Sequence, residues 1–275
     1  MSAAFVVVPQ WQGSGSSRAM RLVDGAEAIR GDLPAASTFS VDVPLEAGDE
    51  MDTGIARAGS LRLVHERTLA ALAEIDGWAI TIGGDCGVSL ASVGHANERA
   101  GGDLAVVWLD AHPDLNTPAS SPSGAFSGMV LRALTGDGVE GLVPARPVAA
   151  SHIVLAGVRA TDEGEEHYMA AAGMRPIGVE QLATPDAVLA AIAATGASSV
   201  YLHIDVDVLD PAEITGLSNP MPFGVSAAAL AEVIRSVKAT YPLAGATLAG
   251  FTPASPEAAV DDLGTLLRVI GALTA

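Results

Sequence analysis

At 275 residues, 49% of them hydrophobic, the chain is long enough to bury one large core, and it reads as a single domain over residues 1–275. Its formal net charge of −18 and pI near 4.5 argue against nucleic acid and anionic membranes as partners and leave a small molecule as the expected one. A lone cysteine rules out an internal disulfide and suits a reducing cytoplasm, where a free thiol can serve as a ligand.

The first apolar run, Phe5 to Val8, follows Met1-Ser-Ala-Ala with no basic flank, so it reads as a strand and not as a signal peptide. No apolar stretch approaches membrane-spanning length. Short apolar runs predict strands near 4–8, 38–43, 78–83, 104–110, 152–157, 174–178, 199–205 and 245–251. Helical patterns fill most of the intervals, which predicts an α/β fold: one three-layer α/β/α domain with a mostly parallel eight-stranded sheet. Leu61, Val64, Thr68, Leu72 and Ile75 recur at three-and-four spacing, as do Val260, Leu263, Leu267 and Ile270 in the last helix. Ser226 is the expected N-cap of the helix that follows it. Residues 117–124, rich in Pro, Ser and Gly, read as an ordered loop, and 160–166 as another.

Chemistry concentrates where three of these strands end. The run Leu104 to Asn116 closes with Asp110, His112 and Asp114 at every second position, so all three start from one side of the chain as it leaves the sheet. Pro113 would break a central ladder, which ends the strand near Asp110 and puts His112 and Asp114 on the following loop. A second strand, from Ser199, carries Asp205 and Asp207, and a third closes with Gly83-Gly84-Asp85-Cys86-Gly87. Gathered carboxylates repel one another and resist desolvation without a cation, so this set of aspartates, histidine and cysteine reads as the ligands of a two-metal site. The ligand crevice of an open α/β sheet lies outside the strand carboxyl ends, where all of them fall. The blander readings are a turn-forming Asp after each strand and an inert buried thiol. His65, His95 and His152 read as structural, and His203, on the strand face of Asp205 and Asp207, as a core residue behind the site.

Gly83-Gly-Asp-Cys86, Asp110-Ala-His-Pro-Asp114 and Asp205-Val-Asp-Val-Leu-Asp-Pro211 resemble, in order, the three signatures of the ureohydrolases, the family of arginases, agmatinases and formiminoglutamases. The resemblance runs from about Val6 to the last helix and implies an arginase-like fold, two manganese ions per chain and hydrolysis of an amidino group. It also implies that Cys86, Asp110, Asp114 and Asp205 hold one ion and Asp110, His112, Asp205 and Asp207 the other, with Asp110 and Asp205 bridging. Such a pair lowers the pKa of a shared water, and Asp114 is the nearest group to take up and pass on its proton, as the catalytic residue. Oxygen-rich coordination favours manganese, although one thiolate tilts the first position toward softer ions such as zinc. The resemblance further assigns Asn116 and Ser123 to a substrate carboxylate, and Asp162 with Glu165 or Glu166 to an α-amino group. The alternative for either glutamate is an acidic helix N-terminus favoured by the dipole.

Three departures shape the expected substrate. Cys86 stands where the family has a histidine ligand, Ser127 where it has a proton-shuttle histidine, and Gly250 where a glutamate faces the guanidinium. A buried guanidinium needs a counter-charge that glycine cannot offer, whereas an N-hydroxyguanidine is far less basic and can enter nearly neutral. The substrate pocket, with Ser127 in it, is therefore expected to take a hydroxyguanidino amino acid, and glutamate returned to 250 with histidine at 127 is expected to raise arginine turnover. The competing readings are an arginase- or agmatinase-like hydrolase of an unmodified guanidine and a catalytically silent, metal-bound protein. Many arginases assemble through a tail beyond the last helix. This chain stops at Ala275, so a monomer or weak assembly is expected over a trimer.

Overall fold

The strand from Leu104 to Leu109 (β4) is buried at every position, as a strand covered on both faces must be. Its side chains divide by parity: Ala105, Val107 and Leu109 enter one hydrophobic core, and Leu104, Val106 and Trp108 enter the other. The computed structural model describes residues 3–275. Its other strands are β1 (Ala4–Val8), β2 (Thr38–Ser40), β3 (Ala79–Gly83), β5 (Ile153–Ala156), β6 (Ser199–Asp205) and β7 (Leu243–Ala249). They form one seven-stranded sheet in the order β2-β1-β3-β7-β6-β4-β5, with every pairing parallel.

Helices cover both faces. The first core packs under α1 (Arg21–Gly31), α6 (Asp186–Thr195), α7 (Ala227–Thr240) and α8 (Val260–Thr274). The second lies under α2 (Ala58–Ala73), α3 (Ser89–Arg99), the short α4 (Val130–Leu134) and α5 (Glu163–Ala172). Among the described residues, no helix is long and apolar enough to cross a membrane. The α2 pattern buries Leu61, Val64, Thr68 and Leu72 as expected, and Ser226 Oγ accepts the Ala229 amide at the start of α7.

Three expectations are corrected. The sheet has seven strands and not eight, because residues 174–178 make only the single bridge Ile177 to Ala156. Pro176 has no N–H to extend a ladder there. In α8 the buried face is Leu266, Val269, Ile270 and Leu273, while Val260 is 70% and Leu267 37% exposed. Two three-and-four registers were open to this helix, and packing selected the other one. Residues 160–166 are not all loop either: Asp162 caps α5 in a reciprocal capping box with Glu165.

Candidate metal centre

Because β3, β7, β6 and β4 are neighbours in parallel register, their carboxyl ends open on one cleft of about 670 Å³. Each end delivers part of the set predicted from sequence: Cys86 after β3, Asp110 to Asp114 after β4, Asp205 and Asp207 at the end of β6 and just beyond, and Gly250 after β7.

Short-range bonds hold these side chains in place. Asp85 accepts from Gln10 Nε2, Gly13 N and Gly87 N at 2.8–2.9 Å, which ties the loop after β1 to the turn that carries Cys86. Burial pushes the Asp85 carboxyl up to about 6, against those three bonds. The Cys86 thiol donates to Asp205 Oδ2 at 2.8 Å, and Asp205 Oδ1 accepts the Asp207 amide at 2.8 Å. Asp110 Oδ1 accepts the His112 amide at 2.7 Å, and His112 Nδ1 lies 3.0 Å from Asp207 Oδ2. Asp114 has a left-handed backbone, φ 52°, a strained conformation for a non-glycine residue that aims its carboxylate back into the centre.

Two groups of possible ligands result. Cys86, Asp110, Asp114 and His203 each offer a donor atom within 4.8 Å of the others, and Asp110, His112 and Asp207 do the same beside them. The expected sets are thus brought together with one exchange: His203, read from sequence as core, stands in the first group, and Asp205 belongs to neither, its oxygens facing Cys86 and the Asp207 amide. Burial and then neighbouring aspartates push Asp114 and Asp205 well above the carboxylate range, and the same causes bring Asp207 to about 6. The Cys86 thiol is likewise raised, by burial and by Asp205. His112 goes the other way: burial resists its charge, but Asp110 and Asp207 outweigh burial and push it up to about 12. Three buried polar atoms, Asp110 Oδ2, Asp114 Oδ2 and His203 Nε2, have no hydrogen-bond partner. Carboxyl groups whose ionisation is opposed by burial and by one another, together with unpaired donor atoms converging on the same spot, fit a divalent metal pair.

The remaining predicted residues line the cleft above this floor. Asn116 Nδ2 donates to Asp162 Oδ2 at 2.6 Å, and Ser120 Oγ donates to Asn116 Oδ1 at 2.7 Å. Glu165 accepts the Leu115 and Asp162 amides, and burial raises it to about 7 despite those bonds. Glu166 is exposed, bonded to Thr161 and outside the cleft, so Glu165 is the glutamate at the site. Ser123 and Ser127 also line the cleft. Gly250 has φ +86°, and a Cβ added there would collide with the Asp205 carboxylate. A glutamate at 250 would therefore sit on a strained backbone, and the Asp205 carboxylate would have to shift to admit it.

Sequence reasoning missed Ser14 to Ser17 at the cleft mouth, although a turn-rich stretch after a strand's carboxyl end was a usable signal. It also missed Arg159. That guanidinium donates to the carbonyls of Gly157, Asp207, Val208, Leu209, Met221 and Pro222 and so braces the segment bearing Asp207. Backbone acceptors from three segments leave no signature in a sequence.

A parallel α/β sheet with a cluster of candidate metal ligands at its carboxyl edge defines an α/β protein with a candidate metal centre. The arginase family model matches residues 13–262, and the chain belongs to the arginase family. The arginase of Staphylococcus aureus (strain COL) is 31% identical over 168 residues, which cover 58% of this chain and 55% of that protein, so the match spans about half of the relative's length. Among solved structures, the arginase of Entamoeba histolytica in complex with L-ornithine has a TM-score of 0.87 at 22% identity over 99% of both chains. The arginase of Bacillus caldovelox has a TM-score of 0.83 at 21% identity, covering 100% of this chain and 99% of that one. At these identities the two structures establish the shared fold.

Proposed function

We propose that the chain is a dimetal amidinohydrolase that converts N-omega-hydroxy-L-arginine to hydroxyurea and L-ornithine. The reading rests on family membership, on the ligand cluster and on resemblance, above all the cysteine in Gly-Gly-Asp-Cys, to the N-omega-hydroxy-L-arginine amidinohydrolase of D-cycloserine biosynthesis. Cys86, Asp110, His112, Asp114, Asp205 and Asp207 would hold two divalent cations, for which oxygen-rich coordination favours manganese. When bound, the pair lowers the pKa of a shared water and supplies hydroxide near neutral pH.

The chain's own groups do the rest. Asn116 and Ser123 orient the substrate carboxylate, and Asp162 and Glu165 its α-amino group. Oxygen from water bonds to the amidino carbon, the bond from that carbon to the ornithine nitrogen breaks, and the nitrogen leaves with a proton. Asp114, which lines the cleft and whose Oδ2 is buried and unpaired, takes up the proton of the water and passes it to the leaving nitrogen.

The observation that carries the substrate choice is position 250. Glycine at 250, with φ +86° and the Asp205 carboxylate beside it, offers no acidic side chain toward a guanidinium. A site without the polar partner a buried cation needs discriminates against that cation, here by about 100-fold or more in kcat/KM for arginine against its N-hydroxy derivative. A substrate panel on manganese-loaded protein, with urea and hydroxyurea both assayed, tests it. Comparable kcat/KM values would make the chain a hydrolase of unmodified guanidines, and no turnover of any amidine would make it a silent family member.

A further inference from the structure

His203 occupies the middle of β6, fully buried, with its ring stacked on Trp108 at 3.4 Å between centroids and 11° between planes. The two residues are register partners across the β4–β6 pair, so the sheet itself fixes the plane of the imidazole. Its Nδ1 lies 2.7 Å from Ser89 Oγ. Ser89 Oγ in turn donates to Thr247 Oγ1 at 3.1 Å, and the Tyr201 hydroxyl lies 2.7 Å from the same Thr247 oxygen.

Ser89 has one proton to place, on Thr247 Oγ1 or on His203 Nδ1. With that proton on Thr247 the serine accepts from Nδ1–H, and the Nε2 lone pair is free for a cation. That lone pair has no partner, points to within 3.6 Å of Asp110 Oδ2 and shares its neighbourhood with Cys86 and Asp114. A lone pair facing a carboxylate oxygen is repulsive unless a proton or a metal cation lies between them. An imidazole whose second nitrogen donates to a fixed acceptor is also the arrangement that metal-binding histidines use.

We propose that His203 Nε2 is a direct ligand of the inner cation, supplying from β6 the imidazole that position 86 lacks. This rests on the two-cation reading above and adds to it a donor from inside the sheet. Ser89 then acts as the positioning residue that holds Nδ1 protonated and Nε2 free.

The test uses the full chain stripped of metal and reloaded with 113Cd2+ alone, with 15N-labelled histidine, and reads cadmium–nitrogen coupling by NMR. Two coupled imidazoles, from His112 and His203, are expected. His203→Asn, which retains a donor for Ser89 but removes the nitrogen facing Asp110, should lose one of them and bind the inner cation about 100-fold more weakly. Ser89→Ala should keep both couplings and weaken binding about 10-fold. A single coupled imidazole in the unmodified protein, or two that persist in His203→Asn, would overturn the assignment while leaving the two-cation reading intact. No cadmium uptake by the unmodified protein would overturn the two-cation reading itself.

Discussion

On the inner side of Asp110, the Cys86, Asp114 and His203 side chains are all buried, and Trp108 covers the imidazole. On the outer side, His112 keeps 29% of its side chain exposed to the cleft. The inner half brings sulfur and nitrogen donors together among buried side chains, and the outer half is carboxylate and imidazole next to solvent. A low-dielectric pocket penalises uncompensated charge far more, so a cation in the inner half would matter most for stability and one in the outer half for reactivity. Asp110 is the one residue common to both groups.

Replacing that shared residue should therefore have the largest effect. Asp110→Asn should empty both positions and lower kcat/KM by about 1000-fold or more, read by metal analysis beside the hydroxyurea assay. A variant that keeps both ions would show that the halves are independent. Next comes the pH response of metal-free protein. Asp207, raised to about 6, and Asp114 and Asp205, raised well above the usual carboxylate value, have folded pKa values above their unfolded ones. Their contribution to stability is complete below about pH 4 and is lost as pH rises through the folded values. Between pH 5 and 8 the metal-free Tm should fall by about 5–10 °C, and saturating manganese should abolish the fall. A flat metal-free profile would mean that the centre does not store protons.

Gly250→Ala separates backbone from ligand effects: it forces a Cβ into a left-handed position against Asp205 and should destabilise the fold by about 1–3 kcal/mol in urea denaturation. An unchanged midpoint would reopen position 250 to side chains. The smallest effect is expected from Cys86→His, which keeps a ligand in the inner half and should raise the preference for manganese over zinc by about 10-fold in competition dialysis. No change in preference would remove the thiol from the ligand set.

Sequence alone determined the α/β class, six of the seven strands closely and the β2 run approximately, and five of the residues that the candidate groups bring together: Cys86, Asp110, His112, Asp114 and Asp207. All of this is written locally: strand alternation has period two, and Asp110, Asp114, Asp205 and Asp207 fall where strands end. It also located the rim residues Asn116, Asp162 and Glu165, but not their bonds to one another or to backbone amides. What only the tertiary structure decided involves atoms far apart in the chain. The α8 register depended on which face met the core, and Arg159 found acceptors on segments 50 and more residues away. The backbone twist at Gly250 matters because Asp205 fills the space beside it. From sequence His203 reads as a residue behind the site; Trp108 from β4 and Ser89 from α3 fix its ring so that Nε2 lies 3.6 Å from Asp110. Local periodicity encodes which face a side chain takes, but the direction of a hydrogen bond is set by whatever packing brings opposite it.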